Sequence, residues 1–519
     1  MKTALTFDNQ FTSTLPSDSS DKNVRRQLKN ALYARVSPTP VAAPYLVAHA
    51  SEVANLIGLT DEDITTSEFL QVFTGNQQLV GMDPHATCYG GHQFGNWAGQ
   101  LGDGRAINLG EVVTDTGHWM LQLKGAGPTP FSRTADGLAV MRSSIREFLC
   151  SEAMYHLGVA TTRALSLIGT GENVVRDMLY DGHPAEEPGA VVCRVSSSFV
   201  RFGHFQLLAA RQEIELLRDF THFVIRREFP HLIKADGIST ATYIEFFREV
   251  CERTADLMVH WMRVGFVHGV MNTDNMSILG ETIDYGPYGW LEDFDPDWTP
   301  NTTDAAQRRY RYGQQPAIGQ WNLMQLANAL LSLTDDSKPL EDALSHYAKR
   351  YEQGWEQMMA DKLGLPQFDK GLTDDLLALL TSAETDMTIF YRRLASLDLN
   401  NKSRYEDLQD AFYVPNQLTV AHRSQTEAWL AAYQGQIASQ SPNNRMEIMN
   451  AVNPKYVLRN YIAQLAIDDA EQGDFTKVRE LLEVLRQPYA EQSQFAHYAD
   501  KRPEWARTRV GCSMLSCSS

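Results

Sequence analysis

Apolar positions along this 519-residue chain repeat with two different periods. Between about residues 106 and 195 they come in short alternating or continuous runs, the mark of strands. Ala106–Val113 and Trp119–Lys124 are two such runs, joined by a Thr116-Gly117 turn that predicts a hairpin. Ala164–Ile168 and Ala190–Val195 are two more. Elsewhere the period is helical. Ile145, Phe148, Leu149, Ala153, Met154 and Leu157 form one stripe, closed by Gly158. Tyr243, Phe247, Val250, Cys251, Leu257, Met258 and Trp261 form a longer one that ends at Gly265 and delivers Phe266-Val267-His268. Trp321–Leu333, Leu340–Met359 and much of 373–470 read as helical, with another helix opening at Asn453–Asn460. Ala50, Val53, Leu56 and Ile57 predict a short helix near the start. The expected fold class is α+β, strands early and helices late.

The length predicts more than one lobe or domain. The boundaries expected are an N-terminal extension over 1–80, a β-rich lobe over 81–205, a helical lobe over 206–495 and a tail over 496–519. The formal net charge of −18 argues against a nucleic-acid or anionic-membrane binder. It also means that an anionic nucleotide would need a local cluster of Arg and Lys. Six cysteines, Cys88, Cys150, Cys193, Cys251, Cys512 and Cys517, are too few and too scattered for a disulfide framework. The start has no apolar signal region, and no run of about 18 apolar residues predicts a membrane span. The expected location is a reducing cytoplasm.

The chemistry concentrates in His268-Gly269-Val270-Met271-Asn272-Thr273-Asp274-Asn275, followed by Asp284-Tyr285-Gly286. This resembles a kinase-like catalytic loop, in which an Asp acts as base and an Asn and the Asp of a D-[FY]-G triplet hold metal. Asn275 and Asp284 are in register. The base position, five residues before Asn275, is Val270, which cannot accept a proton. The nearest replacement is Asp274. Ile278–Ile283 is expected to form a short hairpin carrying Asp284 at its exit, so that Asn275 and Asp284 face each other. Hard oxygen ligands of this kind suit Mg²⁺ or Mn²⁺.

Three further stretches bear on phosphate. Gly99-Gln100-Leu101-Gly102-Asp103-Gly104-Arg105 lies between strands, where glycines let backbone amides approach phosphate oxygens. Read alone, it is as well a glycine-rich turn. Lys124 ends the second strand of the hairpin, where a kinase-like fold keeps its phosphate lysine. Glu147 is its expected ion-pair partner, although Ser144-Ile145-Arg146-Glu147 also fits a capping box. Arg194 and Arg201 flank Ser196-Ser197-Ser198 and could converge on one phosphate or pair with surface carboxylates. His85, Cys88 and His92 have spacings that a metal site could use, but no fourth ligand follows, and a structural role is expected. Leu291–Asp297 is acidic and occupies the place of an activation segment; a solvated loop is the plain expectation.

Together these strings resemble the selenoprotein O family, kinase-like proteins once called YdiU. The strings that carry the resemblance are Tyr89–Gly95, Gly99–Arg105, Lys124–Arg133, Arg201–Phe205, His268–Asn275 and the terminal Cys517-Ser518-Ser519. The resemblance covers nearly the whole chain. It implies a two-lobed protein-kinase-like fold, with a small β-rich N-lobe and a large helical C-lobe. It also implies transfer of AMP, not phosphate, from ATP to Ser, Thr or Tyr hydroxyls of proteins, with the γ-phosphate held deep and the α-phosphate presented to the acceptor. On the matching positions, Gly102, Gly104, Arg105, Lys124, Asp136, Gly137, Arg194 and Arg201 are expected to bind ATP. Glu147 would pair with Lys124, and Asn275 and Asp284 would hold Mg²⁺ or Mn²⁺, Asp284 also meeting the nucleotide. Asp274 would be the proton acceptor.

The family resemblance also makes Cys517 the counterpart of a selenocysteine found in some members. Many members carry a cysteine after the D-[FY]-G triplet that pairs with the tail. This chain has none between Cys251 and Cys512, so that link is not expected; Cys512 and Cys517 are expected to be free thiols, with a Cys512–Cys517 disulfide as the other reading. Two other readings stand beside AMP transfer. One is a phosphotransferase using Asp274 as base. The other is a non-catalytic nucleotide-binding scaffold.

Overall fold

The structure, a computed structural model, describes residues 1–178, 180–398, 404–438 and 441–516. Among the described residues, eleven strands precede or interrupt a mainly helical C-terminal half. They are β1 Tyr33–Arg35, β2 Tyr45–His49, β3 His85–Thr87, β4 Gly90–Gln93, β5 Asn96–Gln100, β6 Ala106–Thr114, β7 Gly117–Lys124, β8 Arg163–Arg176, β9 Ala185–Ser196, β10 Phe266–Val267 and β11 Gly289–Trp290. Seven of them make one antiparallel sheet in the order β1-β3-β6-β7-β9-β8-β2. The four strands expected from the sequence are its centre, β6 to β9. Both edges, β1 and β2, come from the first 80 residues, so this stretch is woven into the sheet.

The helix Met141–His156 lies against β8 and β9. Its stripe residues Ile145, Phe148, Leu149, Ala153 and Met154 are all buried. The opposite face of the sheet packs on Val53, Ile57, Phe69, Val72 and Phe73 from the short N-terminal helices. The sheet is thus covered on both sides, which is why β6 is buried from Ala106 to Val112 and β7 from Met120 to Lys124, polar residues included.

The helix Thr240–Val264 runs through the core of the second lobe and stops at Gly265. β10 then pairs with β11 and brackets the catalytic loop between them. The helices Gln315–Leu330 and Lys338–Leu363 pack on the long helix. One expectation fails here. Residues 278–283 do not form a hairpin; Ser277 bridges Arg201 and Thr282 bridges Thr161, so the segment is tied at both ends to the small lobe. Those cross-lobe bridges take the hydrogen bonds that a local hairpin would have used.

The tail docks on the segment after the D-Y-G triplet. Leu515 N–H donates to Pro300 O at 3.1 Å and Thr302 N–H donates to Leu515 O at 2.8 Å. Cys512 is buried, and Asn460 Nδ2 donates to its carbonyl at 2.8 Å. Cys517 lies outside the described residues. No helix among the described residues is long and apolar enough to cross a membrane.

Candidate functional site

A cleft of about 430 Å³ opens between the sheet and the catalytic loop. Its size falls within the usual range of small-molecule sites, about 300–1,000 Å³. Gly102, Gly104, Arg105, Lys124, Arg194, Arg201, Asp274, Asn275 and Asp284 all line it, with Val270 at the vacated base position. Nine of the sequence-predicted residues therefore meet in one place although they are up to 182 positions apart. Glu147 lies directly behind Lys124. Asp136 and Gly137 do not line the cleft; Asp136 is exposed and gripped by both Arg176 nitrogens at 2.7 and 2.8 Å, while Ser132, Arg133 and Ala135 of the same loop face the cleft.

The sheet supplies the cations. Lys124 and Arg194 sit on the neighbouring strands β7 and β9, two residues apart in register, because Gln122 pairs with Arg194 and Lys124 with Val192. Strand residues two apart point to the same face, so both side chains enter the cleft. Lys124 Nζ donates to Glu147 Oε2. Glu147 lies well inside its helix, which begins at Met141. It makes an ion pair and no capping box. Its other oxygen accepts from Arg194 Nη1 at 3.1 Å. Burial lowers the Lys124 pKa to about 8, with Glu147 opposing the shift and Arg105 and Arg194 adding to it.

Both arginines converge on Asp284. Arg194 Nη1 donates to its Oδ1 at 2.8 Å, and Arg201 Nη1 donates to its Oδ2. Arg201 also reaches Asp103 at 3.8 Å and donates to Asp274 O at 3.0 Å. Burial alone would raise the Asp284 pKa, but Arg201, Arg194 and Lys124 outweigh it and hold the carboxyl below the ordinary range. Its backbone is also unusual, with φ of +57°. A non-glycine residue pays on the order of 1–3 kcal/mol for that conformation, a cost found mostly at functional sites.

Asp274 is the opposite case. It is 7% exposed, and burial raises its pKa to about 6. Oδ2 accepts from Gln93 Nε2 at 3.2 Å, and Oδ1 is buried without a partner among the described residues. One neutral donor cannot replace the water that a carboxylate gives up on burial, so the protonated form is favoured. Two carboxylates of one cleft are thus driven apart, one fixed as an anion and one poised near neutrality, the pattern that assigns acid–base roles.

The glycine loop 101–105 connects β5 to β6. Gly102 has φ of +112°, and a Cβ there would stand 2.6 Å from Phe131 Cγ and 2.9 Å from Thr87 O. The loop is pinned by Thr129 Oγ1, which donates to Asp103 O at 2.7 Å, and by Thr87, whose amide and hydroxyl donate to Asp103 Oδ2 at 2.8 and 2.6 Å. Asn275 donates Nδ2 to Val270 O at 2.9 Å, which leaves its carbonyl oxygen as the side-chain ligand atom. That oxygen and the ionised Asp284 fit a hard divalent cation, which takes one or two protein oxygens and fills its shell with phosphate and water.

The β4–β5 hairpin is a part that sequence reasoning missed. Three consecutive residues of β4 and its turn clasp three consecutive residues of the catalytic loop. His92 N–H donates to Thr273 Oγ1 at 2.7 Å, Gln93 holds Asp274, and Phe94 N–H donates to Asn272 Oδ1 at 3.1 Å. Thr273 Oγ1 in turn donates a hydrogen bond to Gln206 Oε1 at 2.6 Å. Gly91 makes the approach possible, since a Cβ there would lie 2.5 Å from Asp274 Oδ1. The signal was present in Gly90-Gly91, a pair that weakens a strand unless another backbone or side chain must come close. His85 and Cys88 are structural, as expected. His85 bonds Asp83 O at 2.8 Å, and burial pushes the Cys88 thiol up to about 12. Among the described residues, no three His, Cys, Asp or Glu side chains form a metal cluster.

Comparison with known proteins agrees with this geometry. A family model described as protein adenylyltransferase SelO matches residues 20–486. A protein of Rhodopirellula baltica named protein nucleotidyltransferase YdiU is 57% identical over 536 residues, covering 99% of each chain. Proteins of the same name from Aromatoleum aromaticum, 57% identical over 525 residues with 99% of each chain covered, and Xanthomonas oryzae pv. oryzae, 55% identical over 523 residues with 100% covered, are similar throughout. A match of this extent, on a chain whose cleft keeps the phosphate cations but not the usual kinase base, places the protein in the SelO family of protein adenylyltransferases, enzymes that transfer AMP.

Proposed function

We propose that this protein moves AMP from ATP onto the hydroxyl of a serine, threonine or tyrosine of another protein, with Asp274 as proton acceptor. The observation that carries the reading is the pairing of an apolar Val270 at the ordinary base position with a buried carboxyl near neutrality four residues later. A base poised near working pH has a useful population of its acceptor form and still binds the proton firmly.

In this reading Gly102, Gly104 and Arg105 wrap the phosphates from above, and Asp136 and Gly137 hold the outer loop that closes on the nucleotide. Lys124, Arg194 and Arg201 receive the γ-phosphate at the buried end, which leaves the α-phosphate on the side of Asp274. A Mg²⁺ or Mn²⁺ ion held by Asn275 and Asp284 would neutralise phosphate charge. The acceptor hydroxyl gives its proton to Asp274 as its oxygen bonds to the α-phosphorus. The bond from the α-phosphorus to the bridging oxygen breaks, and pyrophosphate leaves with the bonding pair. Glu147 keeps Lys124 and Arg194 aimed and charged through the exchange.

The test is incubation of the full chain with metal, a protein acceptor and ATP labelled on the α- or the γ-phosphate. Label from the α-position on protein, and a mass gain of one AMP group on Ser, Thr or Tyr, is the expected result. Transfer of γ-label alone would make the protein a phosphotransferase, and no transfer with intact ATP binding would make it a scaffold.

A further inference from the structure

Basic residues continue beyond the proposed nucleotide contacts, along one edge of the cleft. Residues 22–29 form a strap without regular structure across two cleft-lining loops. At one end Asn23 Nδ2 donates to Pro128 O at 2.8 Å, in the loop that continues to Phe131, Ser132 and Arg133. At the other, Leu28 N–H donates to Gln100 Oε1 and Gln100 Nε2 donates to Arg26 O, both at 2.9 Å, at the entry to the glycine loop. Lys22, Arg25 and Lys29 on the strap are exposed, as is Arg133 at the cleft mouth. Arg26 is the exception, half-buried and paired with Asp18 at 2.5 Å.

Among the described residues, many cations of this acidic chain are paired with a carboxylate where they stand. Among the described residues, Lys22, Arg25, Lys29, Arg105 and Arg133 have no carboxylate within ion-pair distance, although acidic residues outnumber basic ones by 64 to 46. Unpaired like charges repel one another, so a cluster of them beside a reactive cleft is a cost unless a partner of opposite sign arrives. Arg133 is also held at φ of +56°. Three of the five cations lie on the strap, outside the cleft lining, so a nucleotide within the cleft does not account for them.

We propose that the strap Lys22–Lys29, continued by Arg133, is the surface on which the acceptor protein docks, and that it takes an acidic segment close to the hydroxyl being modified. This rests on the AMP-transfer reading for the identity of the partner, while the charge argument stands apart from it. Electrostatic complementarity of this kind sets encounter rate and partner choice more than the chemical step.

The test uses the full chain and a triple variant, Lys22→Glu, Arg25→Glu and Lys29→Glu, none of which lines the cleft. Fluorescent peptides of equal length carrying Ser, Thr and Tyr within a Glu/Asp-rich, a neutral or a Lys-rich frame are titrated and followed by anisotropy. The native chain should bind the acidic peptide with an affinity that falls as salt rises, and the variant should lose about tenfold or more. With a protein acceptor, KM for the acceptor should rise in the variant while KM for ATP and kcat hold. Equal peptide affinity in both proteins would overturn the proposal. A rise in KM for ATP alone would make the strip a nucleotide guide, and equal competition by single-stranded DNA of the same charge would make it a general polyanion surface; either result overturns it too. Failure of the AMP reading would show separately, as absent α-label despite intact acidic-peptide binding.

Discussion

Asp274→Asn should make the protein more stable while abolishing its turnover. The carboxyl sits 7% exposed with one donor and one orphaned oxygen, and its pKa stands at about 6 against an ordinary 3.8. A carboxyl whose folded pKa is raised penalises the fold once the pH exceeds the unfolded value, because the unfolded chain ionises freely and the folded one does not. The penalty is absent below about pH 4, grows as pH rises to about 6, and is then constant. Its upper bound is about 3 kcal/mol, and relaxation of the site makes about 1–3 kcal/mol the working range. Asparagine has the same shape, still accepts from Gln93 and carries no charge, so the penalty disappears. For a chain of this length the melting entropy is about 1 kcal/mol per degree, which turns the gain into about 1–3 °C in Tm at pH 8.

The assay is a pair of melting curves at about pH 4.5 and pH 8, beside the AMP-transfer rate. The variant should melt higher at pH 8, with the advantage shrinking towards pH 4.5. Transfer should fall by about 10²–10⁴-fold, the range for a lost general base. A variant that melts lower at pH 8, or whose advantage does not change with pH, would refute the claim that burial holds this carboxyl near neutrality. A variant that keeps its rate would refute its role as proton acceptor.

Three other outcomes follow from the same geometry. Asp284→Asn leaves Arg194 and Arg201 buried without their shared anion and should cost about 3–5 kcal/mol, read as a comparable fall in Tm, together with loss of metal-dependent ATP binding. In the native protein that stability is present above the ordinary carboxylate pKa and is lost only as pH falls below it, since the Asp284 pKa is depressed. Glu147→Gln removes the group that keeps Lys124 charged, so the Lys124 pKa should drop below about 8 and ATP binding should weaken more steeply between about pH 6.5 and pH 8.5 than in the native chain, as measured by calorimetry. Gln93→Leu takes away the only side-chain donor to Asp274 among the described residues and should lower kcat by about tenfold with ATP affinity unchanged; equal loss of both would mean that Gln93 serves the nucleotide instead.

The sequence made the centre of the fold and most of the cleft legible, for a physical reason. β6, β7 and β9 carry alternating or short apolar runs bounded by turns, and Lys124, Glu147, Asn275 and Asp284 occupy fixed offsets from turns and glycine motifs. Local pattern therefore reports them. What pattern could not report were the long-range pairings. β1 is three residues long and pairs only because β3 presents an edge, so no period marks it. Residues 278–283 have hairpin composition, yet their hydrogen bonds go to Arg201 and Thr161 across the lobes. Gln93 and Asp274 are 181 positions apart, and a glutamine in a glycine-rich strand carries no sign of a carboxylate partner. Arg194 and Arg201 were foreseen as phosphate ligands or surface pairs; that both hold Asp284 emerges only when β9, residue 201 and the D-Y-G triplet meet.

That last arrangement shows how a chain of net charge −18 keeps three cations together in one cleft. Three buried cations, Lys124, Arg194 and Arg201, would repel one another and pull water into the lobe interface if left alone. Glu147, Asp284 and Asp103 balance them and hold the guanidinium groups in place. Asp284 is the shared counter-ion of both arginines. In the proposed reaction it would turn to the metal while the arginines turn to phosphate, so the cations would exchange one anion for another. Asp274 stays outside this exchange, held by Gln93 and Gly91 away from the arginine heads, although the backbone carbonyl of the same residue accepts from Arg201. The proton affinity of its carboxyl is therefore set by burial more than by the cations, and in the proposed reaction that separation would let one small site hold polyphosphate and still offer a base.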